Sequence, residues 1–149
     1  SAACQVGGIS GGGKENEHKA LKSFGTNFGM AFQLIDDAID YSSNFETMGK
    51  NIGDDFKEGK ITLPIILAYG RSNKEEKKFL KTVISQPNEN ESNFNLTKEL
   101  LIKYNCIEDT MIRANHFADI AIESLSIFRD NEYKSALIKL IETSIKRLA

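Results

Sequence analysis

The stretch ALKSFGTNFGMAFQLIDDAID, residues 20–40, decides how this chain folds. Leu21, Phe24, Phe28, Phe32, Ile35 and Ile39 recur at spacings of three or four, the repeat of one helical face. That spacing predicts a long amphipathic helix, beginning near Ala20 and ending near Tyr41. Its last turns carry three aspartates, Asp36, Asp37 and Asp40, with no turn residue between them.

With about 100° per residue and Gln33 placed at the origin, Asp37 falls at about 40°, Asp40 at about 340° and Asp36 at about 300°. Gln33 and the three carboxylates therefore share one arc. Phe24, Phe28, Ala31, Phe32, Ile35, Ala38 and Ile39 lie on the other side. A solvent-facing arc is permitted, because exposed carboxylates at i and i+4 cost only a few tenths of a kcal/mol. In a cleft the same pair repels by roughly 3 kcal/mol and needs a cation. Ligands that are all oxygen favour a hard one such as Mg²⁺. The macrodipole supports the second reading, since the charges crowd the helix C-terminus, where lysines would be the stabilising choice.

Beyond the helix, SSNFETMGKNIGDDFKEGK (42–60) is polar and punctuated by glycine, and a long surface loop is expected. It carries Lys50 and Lys60 with Gly49, Gly53 and Gly59 around them. Cations on a pliable loop beside a carboxylate arc suggest an anion bridged to the protein by metal, with phosphate or diphosphate fitting best. A merely solvated loop, with Asp54, Asp55 and Glu58 as solubilising charges, is the other reading. The P-loop spacing G-x-x-x-x-G-K-[ST] is absent.

The rest of the chain is helical in pattern. Gly7 to Gly13 is expected to be a flexible turn. Thr62 can cap a helix with Pro64 in its first turn, running to Gly70. Further helices are expected over 74–85, 96–104, 108–128 and 133–148, with a hydrophilic linker at 86–93. Ala114, Ala118, Ala121 and Ile122 form a small-residue packing face. The fold class is all-α, with about six helices and no comparable strand signal.

Composition bounds the rest. The chain has 149 residues, 40% hydrophobic, enough for one domain's core. Its 19 basic and 21 acidic residues give a net charge of −2, with no footprint for nucleic acid. No apolar run reaches the roughly 18 residues of a membrane span. Cys4 and Cys106 fit no C-x-x-C spacing and are expected to be reduced, buried thiols of an intracellular, cytoplasmic protein. His18 and His116 are isolated, expected as surface or packing residues, and Met30 and Met48 as core or loop filler. The opening SAACQVGG, without methionine or signal-like pattern, is expected to be a start inside something longer.

FQLIDDAIDY followed by GKNIGDDFKEGKITLP resembles the second aspartate-rich region of the trans-polyprenyl diphosphate synthases. DDxxD alone is weak, but the joint pattern from Phe32 to Pro64 is specific. SAACQVGGISGG is similar to the alanine- and glycine-rich helix and turn before that region. ALIKLIETSIKRLA is similar to the family's closing helix, which ends near an arginine, here Arg147. The tail is most similar to long-chain bacterial members, octaprenyl diphosphate synthases among them, that feed quinone side chains.

The resemblance implies roles at matching positions. Asp36 and Asp40 would be Mg²⁺ ligands, with Asp37 supporting them or reaching metal through water. Gln33 would orient that water or touch diphosphate, Lys50 would contact the allylic diphosphate, and Lys60 would lie near it. The implied reaction is head-to-tail condensation of isopentenyl diphosphate with an allylic prenyl diphosphate, in an enzyme that is a homodimer when complete. The resemblance covers nearly all of residues 1–149 but only the C-terminal half of the family. The first aspartate motif and its paired arginines are not in this sequence, where Arg71, Arg113, Arg129 and Arg147 are never adjacent. The chain alone is therefore expected to be inactive in prenyl transfer, to expose apolar helix faces, and to self-associate or take a partner supplying the N-terminal half. Two other readings stand beside it: a non-catalytic subunit or remnant that binds a partner synthase, and, more weakly, a terpene cyclase, whose signature lacks GKxxGxDFxEGK.

Overall fold

The computed structural model describes residues 1–42, 53–86 and 90–148. Among these there are eight α-helices and no strand, so the all-α expectation holds with two helices more than the six predicted. They are α1 (Ala2–Ser10), α2 (Glu15–Ile39), α3 (Asp54–Lys57), α4 (Leu63–Arg71), α5 (Lys74–Ser85), α6 (Glu91–Lys103), α7 (Cys106–Ser124) and α8 (Glu132–Ile145), and a 3₁₀ turn, Lys146–Leu148, follows α8.

The additions have physical reasons. The expected turn at Gly7–Gly13 is reduced to its second half, because α1 runs through Gly7 and Gly8 to Ser10. Gly8 is there for proximity: a Cβ on it would stand 2.8 Å from Leu21 Cδ1 of α2. A Cβ on Gly25 would likewise stand 2.8 Å from Cys4 Sγ. Two glycines, one on each helix, let α1 and α2 pack closely. The second addition, α3, sits inside the predicted loop 42–60 and corrects its end. At four residues it is too short for a periodic signal to reveal.

Caps explain several boundaries. Asn73 accepts the Glu75 and Glu76 amides while the Glu76 side chain accepts the Asn73 amide, a full capping box that starts α5 where it was expected. Asn90 accepts the Asn93 amide and starts α6 at Glu91, inside the span predicted as linker. Asn131 does the same for α8. Thr62 occupies the N-cap position of α4 with Pro64 in the first turn, but its side chain makes no capping bond.

The chain divides into two compact units, Ser1–Ile35 with Ile112–Ala149, and Asp36–Met111. The first is built on Phe24, Ala31, Ala118, Ala121, Leu125 and Ile141. Ala114, Ala118 and Ala121 are fully buried, which confirms the small-residue face of α7. The Ser23 and Ser124 hydroxyls bond at 2.7 Å within this unit. Val6, Ile9, Met30 and Phe32 are exposed, so Met30 is not the core filler it was expected to be.

The second unit is built on Tyr41, Phe56, Ile65, Ala68, Leu80, Val83, Leu101 and Cys106. Arg71 pins its far end by donating to the Tyr104 carbonyl at 2.6 Å and to the Asp109 carboxylate. Both cysteines are free thiols; Cys106 is buried and Cys4 only half-buried. Among the described residues no helix is long and apolar enough to cross a membrane.

Candidate functional site

The second unit opens with the last turn of α2, and two of its three aspartates are buried. Asp37 is 7% and Asp40 8% exposed, with Asp36 half-buried. At Asp37 and Asp40 the polar arc is therefore no wet face, although Gln33 is exposed. The Asp40 carboxylate accepts the Asp54 amide at 3.2 Å on one oxygen and the Asp55 amide at 3.1 Å on the other. Its carbonyl accepts the Gly53 amide at 3.0 Å. Asp40 thus caps α3 from fourteen residues upstream, putting an anion on the unsatisfied N–H groups of a helix start.

The carboxylates nonetheless exceed what those amides neutralise. Burial pushes the Asp40 carboxyl up to about 6, and the Asp55 charge adds to that, against the opposing pull of the two amides. Tyr41 follows directly, its phenol pushed up by burial with the charges of Asp40, Asp55 and Asp37 adding. The Thr62 hydroxyl stands beside the Tyr41 oxygen. Neither oxygen completes a hydrogen bond among the described residues.

Lys60 is the cation on the far side of α3. Its ammonium lies 2.7 Å from Glu58 and 2.9 Å from Asp55, contacts that hold its pKa above the usual lysine range. Its amide bonds the Asp55 carbonyl at 2.9 Å. Gly59 at φ +67° makes the reversal between α3 and Lys60, a conformation other residues rarely hold. The connection runs from Asp40 through the α3 amides and Asp55 to Lys60, entirely within one unit.

Of the residues predicted from sequence, this geometry joins Asp40 to Lys60 and places Asp36 and Asp37 on the same helical end. Both of those aspartates make interactions of their own. Gln33 is exposed on the part of α2 that belongs to the first unit. Lys50 lies outside the described residues, as does most of the predicted loop. Asp55, a solubilising charge in the alternative reading of the loop, has a side chain only 18% exposed and joins the two ends of the arrangement. The faint signal for it is a lysine five residues on, separated by one glycine. Phe94 of α6, whose ring lies 5.3 Å from Phe56, was not anticipated at all.

Whether such residues suit a metal turns on donor chemistry. Buried carboxylates carrying surplus negative charge match a hard divalent cation. Among the described residues no group of three or more His, Cys, Asp or Glu side chains is placed to hold a metal ion, so Asp36, Asp37 and Asp40 do not form such a group by themselves.

The end of the aspartate helix and the Lys60 segment are thus joined through α3 in an all-helical chain. The chain belongs to the polyprenyl synthetase family, whose pattern matches residues 1–101. It is 37% identical over 145 residues to octaprenyl diphosphate synthase of Haemophilus influenzae, covering 97% of this chain and 44% of that one. To the Escherichia coli enzyme of the same name it is 38% identical over 149 residues, covering 98% and 45%. The structure of a Caulobacter crescentus polyprenyl synthase, complexed with calcium and isoprenyl diphosphate, superposes with a TM-score of 0.88 at 40% identity, over 99% of this chain and 45% of that one. A Rhodobacter capsulatus decaprenyl diphosphate synthase gives 0.90 at 34% identity, over 99% and 46%. The chain thus spans less than half the length of the relatives it matches.

Proposed function

We propose that this chain is the allylic-diphosphate-binding part of a trans-polyprenyl diphosphate synthase, a cytoplasmic prenyltransferase that extends an allylic diphosphate with isopentenyl diphosphate. The observation that carries this is the buried Asp40 carboxylate, fixed on the α3 amides with Asp55 leading to Lys60. A carboxylate set with surplus charge beside a tethered ammonium suits a ligand that brings both a cation and an anion. The isoprenyl diphosphate and calcium held by the Caulobacter crescentus relative support the same ligand class.

In this reading Asp36 and Asp40 ligate Mg²⁺ and Asp37 supports them. Gln33, one turn ahead on the same helix, orients water or diphosphate. Lys50 and Lys60 take the diphosphate oxygens, Lys60 exchanging its contacts with Glu58 and Asp55 for the ligand. Bound Mg²⁺ supplies neutralisation of the charge that develops on the departing diphosphate. The lysines would add positive charge and donors to the same diphosphate, electrostatic stabilisation of the kind that lowers such barriers.

The chain by itself does not elongate prenyl chains. Its single aspartate motif leaves the remaining metal ligands and the isopentenyl diphosphate contacts to a complementary N-terminal half, and the complete enzyme is a homodimer. The exposed Val6, Ile9, Met30 and Phe32 fit a surface that such a half would cover.

The test is calorimetric titration of the isolated chain with inorganic pyrophosphate, with and without Mg²⁺. Binding that requires Mg²⁺ and disappears in Asp36→Asn is expected. Pyrophosphate binding that ignores the metal, or none at all, would sink the reading, and elongation of farnesyl diphosphate by the chain alone would overturn the claim of incompleteness.

A further inference from the structure

α3 has four residues, far below the length at which a helix persists without support. Besides the Asp40 bonds, at 3.1 and 3.2 Å, its support comes from a side chain on α6. The Phe94 ring lies 5.3 Å from the Phe56 ring at an interplanar angle of 55°, and 6.1 Å from the Tyr41 ring at 30°. Phe56 belongs to α3, and Tyr41 is the residue after Asp40. One ring therefore touches both the end of the aspartate helix and the segment that carries Asp55 and Lys60.

Gly53 shows how close that contact is. It enters α3 at φ +84°, and a Cβ there would stand 2.9 Å from two Phe94 ring carbons. Only a residue without a side chain lets the backbone lie so near the ring. The outer side of the ring is covered by the Lys98 ammonium, 5.3 Å from its centroid. Phe94 is thus wedged between Gly53, Phe56 and Tyr41, each within three residues of Asp40 or Asp55.

We propose that Phe94 is a positioning residue for the diphosphate site: its ring clamps α3 against the end of α2 and so sets where Asp55 and Lys60 stand relative to Asp40. This rests on the diphosphate reading for its purpose but not for its geometry. A Phe94 that merely fills the core would lower stability everywhere in its unit alike. A clamp releases the α3 segment selectively.

The experiment is amide hydrogen exchange by NMR on the whole chain, with Phe94→Ala, Phe94→Leu and Phe94→Tyr, alongside Mg²⁺-dependent pyrophosphate titration. In Phe94→Ala the amides of Asp54, Asp55 and Lys60 are expected to exchange about tenfold faster, with α5 amides unchanged. Pyrophosphate binding should weaken by a similar factor, and Phe94→Tyr should restore both. Phe94→Leu, which keeps the volume, should lie between and serves if the alanine variant does not fold. Exchange at the three amides within twofold of wild type, or acceleration spread equally over α5, overturns the clamp. If wild type binds no pyrophosphate, the diphosphate reading fails and the exchange pattern alone decides the clamp.

Discussion

Replacing Gly53 with alanine tests its approach to Phe94 against two separate costs. At φ +84° an L-residue takes a left-handed conformation worth roughly 1–2 kcal/mol. The new Cβ would also stand 2.9 Å from two Phe94 ring carbons and 3.3 Å from a third. A rigid ring wedged between Phe56 and Tyr41 yields less than the tip of a flexible side chain, and such overpacking costs about 1–3 kcal/mol. The reduced freedom of the unfolded chain returns about 0.4–1 kcal/mol. The expected net loss is about 3 kcal/mol, read by equilibrium urea unfolding followed by far-UV circular dichroism. Repeating the substitution in a Phe94→Leu background removes the ring but not the backbone strain, so the cost should fall to about 1 kcal/mol. A loss below about 0.5 kcal/mol, or an equal loss in both backgrounds, would show that the ring does not press on Gly53.

Other substitutions probe charge and packing. Asp40→Asn keeps an acceptor for one α3 amide and removes a buried surplus charge, so the ligand-free chain should be at least as stable at neutral pH while Mg²⁺-dependent pyrophosphate binding collapses; marked destabilisation would contradict the surplus. The Glu76 carboxyl is held down at about 2 by the Lys103 ammonium, then the Asn73 amide and the Tyr104 hydroxyl, against an ordinary value of 4.5. Its contribution is therefore complete above the ordinary value and drains away as pH falls towards 2. Melting curves of wild type and Glu76→Gln should be separated at pH 6 and converge towards pH 2, and a constant separation would refute the assignment. Gly25→Ala should destabilise, since its Cβ would meet Cys4 Sγ at 2.8 Å and the Ser1 backbone at 3.0 Å, an overlap outweighing the gain of about 1 kcal/mol in helix propensity. Adding Cys4→Ala should recover only part of that loss in thermal denaturation, because the Cβ of residue 4, at 2.9 Å, and the Ser1 backbone stay in place.

The aspartate helix was legible because period and chemistry coincide: apolar residues at three-four spacing mark one face, and the acids fall on the other. Boundaries set by asparagine caps were legible only in part. Asn73 marks its helix with Glu76 three residues on, whereas Asn90 stands among polar residues that also read as linker. Gly8 misled because local propensity argues for a turn, while the close approach of Leu21 demands a residue without a side chain. The capping of α3 by Asp40 could not be read from spacing, since cap rules look one turn ahead and this cap reaches fourteen residues. Phe94 was hidden for a related reason. Its neighbours in sequence are polar, and its partners Tyr41 and Phe56 lie far upstream.

The division of the chain has a consequence for synthesis. The unit Asp36–Met111 is continuous, so all of its core side chains have been made before the last helix emerges. The other unit joins residues 1–35 to residues 112–149, and Ile141 of its core belongs to α8. During translation the unit Asp36–Met111 can close first, while Phe24 and Ala31 wait for core partners on α7 and α8 that are made later. That interval, more than the finished fold, is where this chain would lean on chaperones.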